Sequence, residues 1–191
     1  VVIDSLRKVY PGRTKPAVHS LSIRMEYGEV FGLLGPNGAG KTTALSMMSG
    51  GLSPSAGTCT VAGYSVETDM QRVNRVLGFC PQFDVVWDDL TVYQHLLFYA
   101  RLKGTPSARL RVAVQQAAEK VELDGDALHQ RARQLSGGMR RRLSLGLSLI
   151  GDPPVVFLDE PTTGLDPQTR RQLWAIIQRE KEAGRCMVIT T

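Results

Sequence analysis

Four short and mostly apolar runs stand out in the hydrophobic pattern of the chain. They cover residues 30–34, 76–80, 155–158 and 186–191. An apolar run of four to eight residues without alternation is typical of a strand that is buried on both faces, as in a parallel sheet. We therefore expect these four runs to be the strands of an α/β core.

The beginning of the chain shows a different pattern, because apolar and polar residues alternate there. The alternation covers residues 1–9 and 18–25, with proline and glycine between the two stretches. Alternation of this kind, interrupted by turn residues, predicts two strands joined by a turn. Residues 57–64 add a short strand and a bend, so we expect an antiparallel β region in this N-terminal part.

Helical periodicity fills most of the remaining sequence. The predicted helices cover residues 41–48, 68–75, 96–102, 112–121, 136–150 and 168–183. No strand is evident between residues 84 and 150, which predicts a helical lobe inserted into the core. The whole chain would then be one domain, with residues 1–83 and 151–191 forming the α/β core and its β region.

A glycine-rich loop lies between the first apolar run and a predicted helix. Its residues are Gly35, Pro36, Asn37, Gly38, Ala39, Gly40, Lys41, Thr42 and Thr43. The spacing fits G-x-x-x-x-G-K-[ST], in which backbone N–H groups cradle phosphate. Lys41 would reach the β and γ phosphates, and Thr42 would offer its hydroxyl to Mg²⁺. The alternative, a turn with a solvated lysine, is disfavoured by the strand–loop–helix context.

Carboxylates follow the apolar run at 155–158. Asp159 and Glu160 would stand at the carboxyl end of a buried strand, where open α/β sheets place ligands. Asp159 suits the Mg²⁺ shell, and Glu160 is placed to accept a proton from water. Gln82, just beyond another strand, could join the Mg²⁺ shell or hold the attacking water, although a loop Gln is often simply solvated.

Two further features stay open on the residues alone. Ser136 is a good N-cap, and the glycines after it would let an anion approach the helix N-terminus, but an ordinary capped helix is much the commoner case for such a pentapeptide alone. Tyr10, at the end of the first strand, could stack on a purine ring or simply pack locally.

Composition and charge narrow the class of protein. The chain has 191 residues, 42% of them hydrophobic and 21% charged, as expected for a globular domain. A net charge of +5 could suggest nucleic acid, but the basic residues are dispersed except for Arg140–Arg142, which would point in different directions around a helix. We interpret them as a generic solvated surface. Three isolated cysteines indicate a reducing compartment. No apolar run approaches the roughly 20 residues that span a bilayer.

The order of these motifs resembles the nucleotide-binding domain of ATP-binding cassette (ABC) transporters over essentially the whole chain. The pentapeptide at 135–139, Leu-Ser-Gly-Gly-Met, is similar to the signature motif of that family. The resemblance implies a P-loop NTPase (RecA-like) core on the cytoplasmic side of a membrane, which binds ATP and Mg²⁺. It also implies transmembrane domains as partners and a head-to-tail dimer with a second nucleotide-binding domain.

The resemblance also assigns roles to single residues. Ser136, Gly137 and Gly138 would act on the γ-phosphate held by the partner cassette. Tyr10 would stack on adenine, Gln82 would couple the site to membrane helices, and Asp166 would cross the dimer interface.

Two departures from the family pattern matter. Met139 stands where many members have Gln, so an amide contact from that position is absent. The switch histidine of the family is expected just after Thr191, and His19, His95 and His129 do not lie there. We therefore expect the sequence to be cut at its C-terminal end and to bind ATP better than it hydrolyses it.

Residues 79–84, 90–92 and 98–104 most resemble the eukaryotic A subfamily, whose members export or flip lipids. Tyr93 and Gln94 depart from that pattern, since acidic residues are frequent at these positions.

The alternative function is a soluble cassette ATPase that acts on nucleic acid or ribosomes. The segment between Gln82 and Leu135 is too short for a long coiled-coil insertion, which argues against this alternative. We therefore expect no nucleic acid as a partner. A third possibility is a degenerate regulatory cassette that binds ATP without hydrolysing it. The argument against it is that Lys41, Asp159 and Glu160 are all intact.

Overall fold

The computed structural model describes all 191 residues and contains eight strands and six α-helices. The strands are β1 Val2–Lys8, β2 Val18–Arg24, β3 Val30–Leu33, β4 Ala56–Val61, β5 Tyr64–Ser65, β6 Leu77–Cys80, β7 Val155–Leu158 and β8 Cys186–Thr190. The helices are α1 Lys41–Met48, α2 Met70–Val76, α3 Val92–Leu102, α4 Leu110–Lys120, α5 Gly137–Leu149 and α6 Pro167–Glu182. Short 3₁₀ turns cover Ser107–Arg109, Gly125–His129 and Ala132–Gln134.

The four apolar runs form one parallel sheet, as predicted. Its strand order is β3-β8-β7-β6. Leu33 pairs with Thr190, and Leu158 pairs with both Ile189 and Cys80. These pairs are the last or next-to-last residues of their strands, so all four strands end at the same edge of the sheet. The loops that carry the predicted site residues therefore leave the sheet side by side.

Alternate residues of the parallel strands enter two different hydrophobic cores. On β7, Val155 and Phe157 belong to one core, while Val156 and Leu158 belong to the other. Both faces of the sheet are covered, which explains why the strand shows no polar alternation. One core is completed by α1 and the antiparallel sheet, and the other by helices α3 to α6.

The N-terminal β region is an antiparallel sheet with the order β2-β1-β4-β5. Ile3 and Leu6 of β1 point inward and pack with Met48 of α1. The first two strands pair with each other in antiparallel orientation, as predicted, and their register is irregular on either side of Leu6.

The helical segment shares its core with the parallel sheet instead of forming a separate one. Leu96 of α3, Val114 of α4 and Leu145 of α5 lie in the same cluster as Val156 of β7. Helix α3 begins at Val92, four residues earlier than predicted. No helix of the chain combines the length and the hydrophobicity needed to cross a bilayer.

Candidate functional site

Side chains from distant parts of the sequence meet at the carboxyl edge of the parallel sheet. Thr42 Oγ1, at the start of α1, lies 3.4 Å from Asp159 Oδ1, just beyond β7. Gln82 Nε2, beyond β6, donates to Glu160 Oε2 at 3.0 Å. The structure thus brings together the four residues that the sequence singled out for metal binding and water activation.

The glycine loop leaves its backbone donors free. The N–H groups of Gly38, Gly40, Lys41, Thr42 and Thr43 have no hydrogen-bond acceptor within the chain, and the N-cap of α1 supplies no side chain. Free N–H groups at a helix N-terminus bind anions well, because the helix dipole adds to them. This loop therefore fits a phosphate group.

Backbone packing explains one glycine of this loop. Gly40 has a φ of 90°, and a Cβ atom there would lie 2.3 Å from the carbonyl oxygen of Ala17. Only glycine adopts this positive φ at no steric cost and has no Cβ atom to collide with the carbonyl oxygen. Lys41 is folded over the loop, and its Nζ donates to the carbonyl oxygens of Gly35 at 2.6 Å and Pro36 at 3.4 Å. Its charge is thereby held beside the free N–H groups.

Glu160 lies at a tightly held turn. Its φ of 42° is in the left-handed region, which costs energy for a residue other than glycine. Its Oε2 accepts hydrogen bonds from Gln82 and, at 3.1 Å, from Thr163 Oγ1, while Oε1 accepts none from the chain. One carboxylate oxygen is thus fixed in place and the other can accept a proton.

Tyr10 stands beside the glycine loop, as adenine stacking requires. Its hydroxyl lies 3.2 Å from Thr43 Oγ1, and its ring borders a cleft of about 560 Å³ that Lys15, Ala17 and Gly38 also line. Lys8 Nζ lies 5.7 Å from the centroid of the ring. Stacking on a purine stays a prediction.

The signature segment is a second site with free backbone donors. Ser136 caps α5 by accepting from the N–H of Met139 at 3.2 Å, while the N–H groups of Gly137 and Gly138 have no acceptor in the chain. No hydrogen bond joins this segment to the glycine loop. A Cβ on Gly137 would meet nothing within 4 Å, whereas one on Gly138 would lie 2.7 Å from the side chain of Thr169.

Asp166 is the N-cap of α6. Its Oδ1 accepts from the N–H groups of Gln168 and Thr169, both at 3.0 Å, and its Oδ2 accepts from Thr169 Oγ1 at 2.6 Å. These hydrogen bonds lower the pKa of Asp166, and the one from the Thr169 hydroxyl has the largest effect. Through Thr169 the cap also touches the signature segment. A role across a dimer interface stays a prediction.

Comparison with known proteins supplies the family. Residues 18–163 match the family model described as ABC transporter. The chain belongs to the ABC transporter family. It is an ATPase domain, or cassette, of the kind that the sequence predicted, and such cassettes bind ATP.

The relatives and structural neighbours of the cassette agree with this family. The chain is 48% identical to ABC transporter A family member 7 of Arabidopsis thaliana and 43% identical to A family member 7 of Dictyostelium discoideum, covering all of this chain and 21% and 22% of those proteins. It thus spans about a fifth of these curated relatives. A solved ATP-binding subunit of an ABC transporter superposes with a TM-score of 0.86 at 24% identity, covering 100% of this chain and 78% of the other.

A second solved structure, a dimeric ATP-binding cassette in a post-hydrolysis state with ADP and Pi, gives a TM-score of 0.85 at 21% identity. It covers 100% of this chain and 87% of that one. At these identities the two solved structures establish the fold, and they confirm the predicted P-loop NTPase architecture.

Sequence reasoning missed two residues of the cassette's site. Thr190, the last residue of β8, donates to Asp159 Oδ1 at 2.6 Å and accepts from the N–H of Glu160 at 2.8 Å. The only signal was a polar residue at the end of an apolar run.

Arg141 is the second missed residue, and the interpretation of the arginine triplet as solvated surface is wrong for it. The three side chains do point in different directions, since Arg140 contacts Asp88 and Arg142 contacts Glu122. Arg141 instead points inward and is only 4% exposed, because backbone carbonyl groups surround its guanidinium.

We expect Thr190→Val to impair both the stability and the activity of the cassette. Valine keeps the shape but loses the hydroxyl, so Asp159 Oδ1 loses its shorter hydrogen bond and the N–H of Glu160 loses its acceptor. Each such loss costs about 1–3 kcal/mol. The free energy of unfolding, from urea denaturation, should fall by that order, and kcat for ATP hydrolysis should fall with it. Thr190→Ser keeps the hydroxyl and should restore both, while Thr191→Val, which alters an exposed neighbour, is the control. Wild-type stability in Thr190→Val would contradict the role of the hydroxyl.

Proposed function

We propose that this cassette powers the export or flipping of a lipid substrate across a membrane. It would do so by closing around ATP with a second cassette and reopening after hydrolysis. The observation that carries the proposal is the pair of separate anion sites. The glycine loop and the signature segment both present free N–H groups, yet no hydrogen bond connects them. In a head-to-tail dimer, each ATP would be held by the loop of one cassette and the signature of the other.

The residues at the sheet edge supply the parts of a hydrolysis site. Lys41 would exchange the carbonyl oxygens of the loop for phosphate oxygens. The oxygens of Thr42 and Asp159 fit a Mg²⁺ ion, with the amide oxygen of Gln82 available to complete its shell. When bound, Mg²⁺ neutralises charge that develops on the phosphates. Glu160 would accept the proton of the attacking water through its free Oε1.

An exposed apolar surface around Gln82 supports a membrane domain as partner. Phe83 is 78% exposed and Val85 is 55% exposed. Val85 also lines a groove of about 400 Å³, together with Phe79 and Pro81. Exposed apolar surfaces of this kind mark interaction sites. Because Gln82 lies in the same loop as Phe83, a transmembrane domain that docks here would be mechanically linked to the Gln82–Glu160 pair.

The lipid substrate and the cytoplasmic position rest on the A subfamily resemblance. The alternative, a cassette ATPase that acts on nucleic acid or ribosomes, has less support, because the segment between β6 and α5 folds as a compact pair of helices on the shared core.

Alkaline carbonate extraction of the native protein is the experiment that tests the proposal. The transport hypothesis predicts that the protein stays in the membrane pellet, and that its ATPase activity rises when lipid is added. Release into the supernatant without a co-purifying membrane protein would overturn it. Association with ribosomes or nucleic acid would then support the alternative.

A further inference from the structure

Arg141 satisfies every donor of its guanidinium inside the protein. A guanidinium has five N–H groups, and five acceptors surround this one. Nε donates to the carbonyl oxygen of Pro161 at 2.8 Å. Nη1 donates to the carbonyl oxygen of Pro81 at 2.7 Å and to the carboxylate oxygen Oδ1 of Asp84 at 2.9 Å. Nη2 donates to the carbonyl oxygens of Asp159 and Glu160, both at 3.3 Å. The carboxylate of Asp84 balances its charge.

These acceptors belong to two different loops. Residues 81–84 follow β6 and include Gln82, while residues 159–161 follow β7 and include Glu160. The two loops contact each other through the Gln82–Glu160 hydrogen bond. One planar group therefore fixes the backbone on both sides of that hydrogen bond, and it also holds the left-handed turn at Glu160.

Arg141 lies on the helix that begins with the signature segment. It is four residues after Gly137, which corresponds to an axial rise of about 6 Å. The free N–H groups at the start of α5 and the guanidinium are thus parts of one rigid element. A shift of α5 would move the carbonyl partners of Arg141 and, with them, the two loops.

We propose that Arg141 is a positioning residue for ATP hydrolysis, which holds Gln82 and Glu160 in register with the signature helix of the same cassette. The inference rests on the proposed function. Arg141 does not reach the reacting atoms, and it acts through the two loops. When α5 contacts the ATP of the partner cassette, Arg141 transmits the position of the helix to the hydrolysis site of its own chain.

The test is Arg141→Lys in the native protein. Lysine keeps the charge, but its three N–H groups cannot satisfy the five acceptors that Arg141 joins across the two loops. We expect kcat to fall about 10- to 100-fold, since a displacement of about 1 Å can cost about 100-fold in rate. KM for ATP and the amount of ATP bound should stay within about twofold of wild type, because the glycine loop is intact. Arg142→Lys, a neighbouring change outside the two loops, is the matched control and should retain wild-type kcat.

Amide hydrogen exchange gives a readout that does not depend on hydrolysis. In Arg141→Lys, exchange should become faster at the N–H of Asp159, which donates to the carbonyl oxygen of Cys80 at the end of β6, and at the N–H of Glu160, which donates to Thr190. Unchanged exchange at these two N–H groups would overturn the link. A loss of bound ATP in proportion to kcat would also overturn it, since that indicates unfolding. If the lysine variant does not fold, Asp84→Asn tests the same link, and unchanged kcat there counts against the proposal. Failure of the proposed function would show differently, as release of the wild-type protein into the supernatant during carbonate extraction.

Discussion

Glu160→Gln is expected to lower kcat for ATP hydrolysis about 10²- to 10⁴-fold, which is the usual contribution of a general base. The substitution changes one atom and keeps an oxygen that can accept from Gln82 and Thr163, so the geometry of the turn should survive. What is lost is the ability of the second oxygen to take a proton from water. ATP binding should persist, because the glycine loop is untouched, and the cassette should accumulate in an ATP-bound dimer that gel filtration detects.

Glu119→Gln is the matched control, since Glu119 is an exposed glutamate on α4 and should keep wild-type activity. If Glu160→Gln retains more than about half of the wild-type kcat, Glu160 is not the base. The experiment also separates two of the functional hypotheses. A degenerate regulatory cassette would show no turnover in the wild type, so the substitution would change nothing.

The parallel sheet could be predicted from the sequence because its strands are buried on both faces. Val155 to Leu158 enter the two cores alternately, and this leaves no polar position in the run. The positions of Asp159 and Gln82 followed from the same pattern, since each lies just beyond a predicted strand, whereas that of Lys41 followed from the spacing of the glycine loop. Local sequence was sufficient here because strand ends of a parallel sheet share one edge.

The start of α3 was missed although the sequence contained its signal. Thr91 and Gln94 form a capping box, in which each side chain accepts from the backbone N–H of the other residue. The pattern S/T-x-x-E/Q marks a helix N-terminus. Apolar periodicity alone began the helix four residues too late.

Thr190 and Arg141 could not be predicted in the same way, because their roles depend on contacts between residues far apart in the chain. Thr190 lies about 30 positions from its partners Asp159 and Glu160, and Arg141 lies about 60 from the carbonyl group of Pro81. A threonine in a strand and an arginine in a helix carry no local signal of such contacts. The pairing of β8 with β7 reveals the contacts of Thr190, and the packing of α5 against the ends of β6 and β7 reveals those of Arg141.

Gly137→Asp provides the sharpest test of the head-to-tail arrangement, because stability and activity should change in opposite directions. Gly137 is the first residue of α5, and a side chain there meets nothing within 4 Å. An acidic residue in the first turn of a helix contributes about 0.3–1 kcal/mol of stability. The Tm should therefore stay unchanged or rise by a few degrees, up to about 4 °C.

Activity should nevertheless be lost, because the new carboxylate would face the γ-phosphate held by the partner cassette. Like charges in a site that excludes water repel strongly, so we expect ATP hydrolysis and ATP-induced dimerisation to fall at least about 100-fold. ATP should still bind to the glycine loop of each single cassette. Gly137→Ala, which adds a side chain without charge, should retain much more activity at similar stability. A stable Gly137→Asp protein with wild-type ATPase activity would show that the signature segment does not contact ATP, because a carboxylate this close to the phosphate cannot be neutral in effect.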